Sequence, residues 1–362
     1  MKTWYDERNT LFSRVKLEKD SKAYKAFYEK HPEYQRIDDE IRGSQFRDNL
    51  RKSDVFKSLF FPLTTSNTAL LKSLHELVFN TERSKRVETP KNFHQNIKAI
   101  TKHYGASDVG IVKLNDRHFY THSGGLSESI GIKNYGEKIR PNYTHAIVYL
   151  IPMDLAYINR APHFEELLET ENAYLKVGFI GSRLALYLKS LGYDTTFQSE
   201  AYYLTPLVPL AYDGGLGEIG MTNHIVHPTY GDRIRLGAVL TTLELKEDEP
   251  IDFGLDAFCK RCALCLMNCP SKSITAKQRI VNGRTFYKFD DQTCFKLWKN
   301  TGTDCGTCIQ SCPFTQGIDK QTIQMMQNDP STIDEVIQKH LEIHGRRKYT
   351  KCELELVRLE ET

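Results

Sequence analysis

The 362-residue sequence lacks a long apolar run. Its most apolar stretch, AIVYLIPMDLAY (146–157), is interrupted by Pro152 and Asp154 and is too short to span a bilayer. The first residues, MKTWYDERNT, are charged, without the apolar core of a signal peptide or a twin-arginine pair. We therefore expect no membrane partner and a cytoplasmic location.

The sequence also has little charge bias. Lys and Arg number 49 against 46 Asp and Glu, which leaves +3. That excess is too small to argue for nucleic acid or acidic lipid as a partner. The glycine spacing of the stretch GGLGEIG (214–220) is interpreted as wrong for a dinucleotide-binding fingerprint, so we expect no NAD or FAD site.

Length and hydrophobic pattern favour one large α/β (α+β) core with an insert. Strands are predicted at 107–114 and 145–151 and helices at 92–103 and 319–343, with short apolar segments at 203–211 and 235–242. Apolar residues at spacings of three and four predict a long helix over 164–191, closed by Gly192. The expected divisions are a polar helical arm of surface helices (1–90), the α/β core (91–250), a cysteine-rich insert (251–318) and a helical C-terminal segment (319–362).

The insert contains eight of the nine cysteines. Cys259, Cys262, Cys265 and Cys269 form C-x2-C-x2-C-x3-C-P, a ferredoxin-type run whose fourth cysteine binds a different cluster from the first three. A second set follows in the sequence. Its members are Cys294, Cys305, Cys308 and Cys312.

The spacing predicts two [4Fe–4S] clusters with interleaved ligands. The first would take Cys259, Cys262, Cys265 and Cys312. The second would take Cys269, Cys294, Cys305 and Cys308. A pair of structural zinc sites is the alternative, although zinc usually takes two separated C-x2-C pairs. Cys352 is interpreted as an ordinary thiol.

Several segments resemble, in order and spacing, the non-exported branch of the cobalamin-dependent reductive dehalogenases, over about residues 4–345. They are DERNTLFSR (6–14), AFYEKHPEYQRIDDEIR (26–42), GASDVGIVKL (105–114), AIVYLIPMD (146–154), LGY (191–193), GLGE (215–218), PTYGDRIR (228–235) and DFGLDAFCKRCALCLMNCP (252–270).

The resemblance implies a nitroreductase-like corrinoid domain and a ferredoxin-like double-cluster insert. It further implies a base-off cobalamin that the clusters reduce to Co(I), and an organohalide substrate. The corrinoid contacts it implies are Gly215, Leu216, Gly217 and Tyr230. Because no reductase domain follows in this chain, we expect an external low-potential donor such as ferredoxin or flavodoxin. Oligomeric state is not indicated.

The resemblance also places the family's proton-donating tyrosine at Tyr174 and its basic partner at Arg235, with Arg233 as a rival. A nearby guanidinium favours the phenolate and eases proton release. The alternative for Tyr174 is an ordinary core tyrosine. Small residues on the same helix are expected to leave room for something bulky beside it. They are Gly178, Gly181, Ser182 and Ala185.

This chain departs from the family pattern in two respects. Met221 stands where many members have arginine, and we expect this change to affect the substrate chemistry and not the clusters. Asp116–His118 is followed by Thr121 where the D-x-H-x-x-G histidine motif for cobalt has glycine, so we expect no protein histidine below the metal.

Two other functions remain open. Epoxyqueuosine reductases share the corrinoid domain and the clusters, but act on tRNA and place an acidic proton donor near cobalt. The second possibility is a non-catalytic corrinoid or electron-transfer protein, which predicts that protein fills the face of the 164–191 helix.

Overall fold

The structure is a computed structural model that describes residues 5–42, 55–125, 134–349 and 354–357, with side chains in the helix starting at Val55 described from residue 59. Cys352 lies outside the described residues. The first helices are α1 Leu11–Lys16, α2 Lys22–Tyr28, α3 Pro32–Arg42, α4 Val55–Asn80 and α5 Phe93–His103. Side-chain oxygens of Thr10 and Ser21 cap the first two helices by accepting from backbone N–H groups.

The remaining elements alternate between strands and helices. The strands are β1 Asp108–Lys113, β2 His145–Pro152, β3 Thr195–Gln198, β4 Glu218–Ile219, β5 Ile225–Val226, β6 Ile234–Thr241, β7 Ile274–Val281 and β8 Arg284–Phe289. The helices are α6 Leu155–Ile158, α7 Phe164–Ser190, α8 Leu207–Asp213, α9 Leu255–Cys262, α10 Leu264–Asn268, α11 Asp291–Thr301, α12 Thr307–Gln310, α13 Pro313–Gln316, α14 Lys320–Asn328 and α15 Ile333–His344. Single turns of 3₁₀ helix lie at Glu7–Asn9, Asp116–His118, Pro330–Thr332 and Glu355–Val357.

The central sheet has the order β1-β2-β6-β3, and each neighbouring pair is antiparallel. Side chains alternate between its two faces. Ile147 and Tyr149 belong to the core cluster that includes α7, whereas Val148 and Leu150 belong to the cluster that includes α8. The sheet therefore lies between helical layers, which confirms the predicted α/β (α+β) class.

Helix α7 crosses one face of this sheet and ends as predicted. Gly192 has φ +86° and its N–H donates to Lys189 O at 2.9 Å. A side chain here would put its Cβ 2.4 Å from Arg86 Cα, so the position requires glycine.

The space expected beside Gly178 and Gly181 is filled by protein, which corrects that expectation. A Cβ on Gly178 would lie 2.1 Å from Leu71 Cδ2, and one on Gly181 would lie 2.6 Å from Tyr149 Oη. These glycines allow α4 and the sheet to pack closely against α7.

Two other expectations need correction. Helix α4 is not a surface helix throughout, because Leu71, His75 and Val78 are buried against the core. The helix predicted at 319–343 is two helices, since Asp329 and Pro330 interrupt it between α14 and α15.

The stretch GGLGEIG does contain the G-x-G-x-x-G spacing, at Gly215, Gly217 and Gly220. Its setting differs from a dinucleotide site, in which a strand precedes the glycines and a helix follows. Here α8 precedes them, β4 lies between Gly217 and Gly220, and no helix follows directly in the described range 134–349. No helix in the described ranges is long and apolar enough to cross a lipid bilayer.

Candidate functional site

The cysteine-rich region is built from short helices joined by left-handed turns. Helix α9 ends at Cys262, and Ala263 then turns the chain with φ +47°. Cys305 and Gly306 turn it again with φ +70° and +58°. These turns direct closely spaced cysteines toward shared centres.

The structure brings the first predicted ligand set together. Cys259, Cys262, Cys265 and Cys312 all line one cavity. The thiol of Cys312 interacts electrostatically with those of Cys259 and Cys265, despite the long intervening sequence. A cavity lined by four thiols from two segments fits the donor set of an iron–sulfur cube.

The second predicted set also converges. Cys294 interacts electrostatically with Cys305 and Cys269, and Cys308 interacts with Cys294 and Cys305. Cys308 further interacts with Cys265 of the first set. The two sets are therefore adjacent, as an electron path between two clusters requires.

Burial keeps most of these thiols protonated when no metal is bound. It raises the pKa of Cys259 to about 12 and that of Cys262 to about 11. Cys269 differs, because hydrogen bonds from Ser271 and the N–H of Ser273 outweigh burial and lower its pKa. Metal binding would thus release protons from the buried thiols.

Met221 lies beside the cysteines, which corrects the expectation that this departure leaves the clusters unaffected; its effect on the substrate chemistry stays a prediction. It is 3% exposed and packs with Cys259, Cys265 and Cys269. Its backbone N–H also donates to the sulfur of Cys259. The family's arginine at this position would bring a positive charge to the first cysteine set.

The structure brings Tyr174 and Arg235 together. The guanidinium carbon of Arg235 lies 5.1 Å from the ring centroid of Tyr174. Arg235 Nη2 also donates to Thr170 Oγ1 at 2.9 Å, one turn earlier on α7. The rival Arg233 donates instead to Met153 O and stacks on Tyr230.

Five carboxyl groups that sequence reasoning missed act on this pair. They are Glu166 and Glu171 on α7, Glu200 after β3, Asp232 before β6, and Asp304 beside Cys305. Asp304 Oδ2 lies 3.7 Å from Arg235 Nη2. Acidic residues on the buried side of α7 were a visible signal, but nothing in the sequence linked them to Glu200 or Asp304.

Burial is the main influence on the proton affinity of these groups. It raises the pKa of Tyr174 to about 12; Arg235 opposes this rise, while Glu200 and Asp304 add to it. The Arg235 guanidinium therefore lowers the pKa of Tyr174 as expected, but burial has the larger effect. Burial likewise raises the pKa of Glu171 to about 8 and that of Glu200 to about 7.

Glu166 connects this site to the second cysteine set. A Cβ on Gly306 would lie 2.5 Å from the Glu166 carboxyl carbon, so the carboxyl packs on the backbone between Cys305 and Cys308. Thr170 Oγ1 donates to Glu166 Oε1 at 3.3 Å and accepts from Arg235. Thr170 and Glu166 thus join Arg235 to the cysteine loop.

Two buried polar atoms beside Tyr174, Glu171 Oε2 and Arg235 Nε, have no hydrogen-bond partner among the described residues. The carboxyl groups of Glu166 and Asp304, close to Arg235, hydrogen-bond each other when Glu166 is protonated. Buried polar atoms in folded proteins are nearly always paired with protein, water or ligand. Donors and acceptors concentrated here fit a polar-edged group such as a corrinoid with its amide side chains.

Two of the predicted corrinoid contacts, Leu216 and Tyr230, pack with the core cluster that includes α8 and not with the cluster that includes α7. Leu216 is 1% exposed and belongs to the core. A Cβ on Gly215 or Gly217 would meet backbone oxygens of Glu249 and Val226 at 2.5 and 2.3 Å. Tyr230 is half-buried, stacked on His227 with ring centroids 4.9 Å apart. Their role toward a cofactor stays a prediction.

His118 is engaged through both ring nitrogens. Nε2 lies 2.8 Å from Asp213 Oδ2, and Nδ1 accepts from the N–H of Asn115 at 3.0 Å. The structure therefore accounts for this buried histidine without a cobalt ion.

Comparison with known proteins supports the cysteine region and the fold. Residues 258–316 match the family model of the 4Fe-4S dicluster domain. The tetrachloroethene reductive dehalogenase of Sulfurospirillum multivorans is 25% identical over 299 residues, which cover 74% of this chain and 59% of that protein. The resemblance to the reductive dehalogenases is confirmed.

Other matches extend this similarity. The solved catabolic reductive dehalogenase NpRdhA aligns over 86% of this chain and 46% of its own, with a TM-score of 0.69 and 21% identity, which establishes a shared fold. An epoxyqueuosine reductase of Lactococcus garvieae is 24% identical over 266 residues, 66% of this chain and 74% of that protein. The chain thus spans about half the length of the dehalogenases that it matches.

Proposed function

We propose that this chain is a cobalamin- and iron–sulfur-dependent reductase that removes halogen from a small organic molecule. The observation that carries the proposal is the Tyr174–Arg235 pair, joined through Thr170 and Glu166 to the second cysteine set. A proton donor beside an electron path is what reductive removal of a halide needs, since carbon gains both electrons and a proton.

The proposed electron path is two [4Fe–4S] clusters on the interleaved sets. Convergence of Cys312 on the first set and of Cys269 on the second supports this assignment. Anaerobic metal analysis should find about eight irons per chain, as two cubes require. About four irons, or mainly zinc, would contradict it.

The proposed second cofactor is base-off cobalamin, which would supply the strongly reducing cobalt. The Nε group of Arg235, which has no hydrogen-bond partner in the part of the chain that the structure describes, is a donor available to its polar edge or to a substrate. Engagement of both His118 nitrogens supports the absence of a histidine ligand. The EPR spectrum of the Co(II) form should lack nitrogen superhyperfine splitting from an axial ligand.

Tyr174 is the proposed proton donor and Arg235 the group that stabilises the phenolate left behind. Tyr174→Phe keeps the ring under the guanidinium and removes only the hydroxyl. Turnover should fall about 100-fold or more, the scale for a lost general acid, with cofactor content unchanged. Tyr187→Phe, on the same helix, is the matched control. Equal turnover by the Tyr174 variant would reassign Tyr174 to the core.

The names of the similar proteins suggest two test substrates, which serve as probes. One relative is named for tetrachloroethene, and NpRdhA has been solved with 3-bromo-4-hydroxybenzoic acid. Halide release from either, with chemically reduced ferredoxin or flavodoxin as donor, tests the reaction. The external donor stays a prediction, and turnover with NADPH alone would contradict it.

A second candidate function is epoxyqueuosine reduction on tRNA. Protonable carboxyls close to Tyr174 favour it, because that family uses an acidic donor, and the chain spans 74% of such a relative. Conversion of epoxyqueuosine-containing tRNA without halide release from either probe would establish this function instead. Reducible cofactors with neither activity would indicate an electron-transfer protein.

A further inference from the structure

A cavity of about 250 Å³ lies between α4 and the first half of α7. Its polar lining residues are Thr64, Asn67, Tyr157, Glu169, Glu171 and Asn172, and three leucine side chains complete the wall. This mixture of carboxyl, amide and hydroxyl groups suits water. The cavity is distinct from the space lined by the first cysteine set, and no step of the proposed reaction uses it.

Glu171 is common to this cavity and to the Tyr174 site. It lies three residues before Tyr174 on α7, a spacing that puts two side chains on one helix face. Its charge acts on the Tyr174 hydroxyl, so the two groups are near in space as well. Glu171 thus stands where protons from the cavity could reach the phenol.

The two glutamates that line the cavity differ in their bonding. Glu169 accepts from the N–H of Asp154 at 2.9 Å and from the Asn172 amide at 3.0 Å. Glu171 Oε2 is buried and has no partner among the described residues. A buried carboxylate without a partner is costly, so the neutral acid is favoured.

The charged groups that face Glu171 together favour its neutral form. Glu200 and Asp304 repel its negative charge, whereas Arg235 attracts it. With burial as the largest effect, the pKa of Glu171 rises to about 8. An acid that ionises near neutral pH suits repeated proton transfer.

We propose that Glu171 relays protons from the cavity to Tyr174 between turnovers, an inference that rests on the proposed function. After Tyr174 has given its proton to the substrate carbon, the neutral Glu171 acid transfers its proton to the Tyr174 phenolate. Tyr174 is then neutral and Glu171 is a carboxylate. The Glu171 carboxylate is then reprotonated by hydronium or buffer acid from solvent, with cavity water carrying the proton, so each turnover takes up one solvent proton and no hydroxide is left behind.

The test compares Glu171→Gln with Glu169→Gln in the holoenzyme, with tetrachloroethene as probe. Glu171→Gln should keep the first turnover and lose about 100-fold in repeated turnover, because only the recharging of Tyr174 is impaired. Glu169→Gln lines the same cavity and should keep the wild-type ratio of first to later turnovers. Equal loss in both variants, or no loss in Glu171→Gln, overturns the relay.

A second measurement does not depend on turnover. The infrared C=O absorption of protonated carboxylic acids should contain one component that is lost as pH rises through about 8 and that Glu171→Gln removes. Glu166 and Glu200, whose pKa values are also raised, contribute the components that remain in that variant. If the Glu171 component is found while tetrachloroethene is not consumed, the proton-holding role is supported and the proposed substrate fails. A spectrum that Glu171→Gln leaves unchanged overturns the inference.

Discussion

Arg14 connects the N-terminal helices to the cysteine region, and substituting it measures how much this connection stabilises the fold. Its guanidinium is 2% exposed, and Nε donates to Asp38 Oδ2 at 2.8 Å, with Asp38 fully buried. Nη1 also donates to Asn9 O at 2.7 Å and to Asp291 Oδ2 at 3.1 Å. Arg14 therefore joins α1, α3 and the start of α11, the helix that carries Cys294.

Arg14→Met keeps most of the side-chain volume and removes the charge. Among the described residues, the Asp38 carboxylate would keep two side-chain donors, Tyr28 Oη at 3.0 Å and Gln292 Nε2 at 2.9 Å. Removing one partner of a buried ion pair costs about 3–5 kcal/mol. Because those two donors remain, we expect the unfolding free energy to fall by an amount at the lower end of this range, about 3 kcal/mol.

Urea unfolding, followed by circular dichroism, measures this loss. The matched variant is Asp291→Asn, since Asp291 bonds the same guanidinium but its side chain is 40% exposed. That change should cost less than about 1 kcal/mol, as exposed ion pairs do. Similar losses in both variants, or a loss below about 1 kcal/mol for Arg14→Met, would refute the assignment of Arg14 to a buried structural pair.

Two further predictions concern the cysteine region and pH. Met221→Arg, which restores the family's residue, should raise the reduction potential of the first cluster, because positive charge beside Cys259 favours the reduced state. An EPR-monitored redox titration measures this change, and Met221→Leu should leave the potential unchanged. His75, buried against Phe197 with its pKa lowered to about 3, stays neutral in the folded chain while the unfolded chain binds a proton below about pH 6.5. His75 should therefore contribute a fall in stability of about 1.4 kcal/mol per pH unit as the pH is lowered from about 6.5 to 3, and His75→Gln should make the slope in urea unfolding shallower by that amount.

Local rules predicted much of the molecule. Spacing of three and four located α7, and Gly192 closed it because only glycine tolerates that turn so near Arg86. Cysteine spacing alone assigned Cys312 to the ligand set of Cys259 and not to that of its sequence neighbours, and the structure places the two thiols close together. Such features depend on chain geometry within a few residues or on ligand stereochemistry, and both are visible in a sequence.

Convergence of distant segments was not predictable in this way. Glu171, Glu200 and Asp304 come from a helix, a bend after a strand and a cysteine loop. The position of Met221 beside the cysteines depends on how the β4–β5 turn packs on the insert. The glycines of α7 indicated close packing correctly, but only the fold shows that Leu71 and Tyr149 occupy the space.

Burial links the stability of this chain to its chemistry. Desolvation raises the pKa of Cys259 and of Glu171 alike, so both hold protons in the protein without cofactors. Metal bound to the thiolates would replace the protons on the cysteines, and its binding free energy would count toward folding. The carboxyl has no such substitute and keeps its proton. Under this proposal, the chain would exchange protons for metal at the cysteines and retain them beside Tyr174, where reduction at carbon consumes one in each turnover.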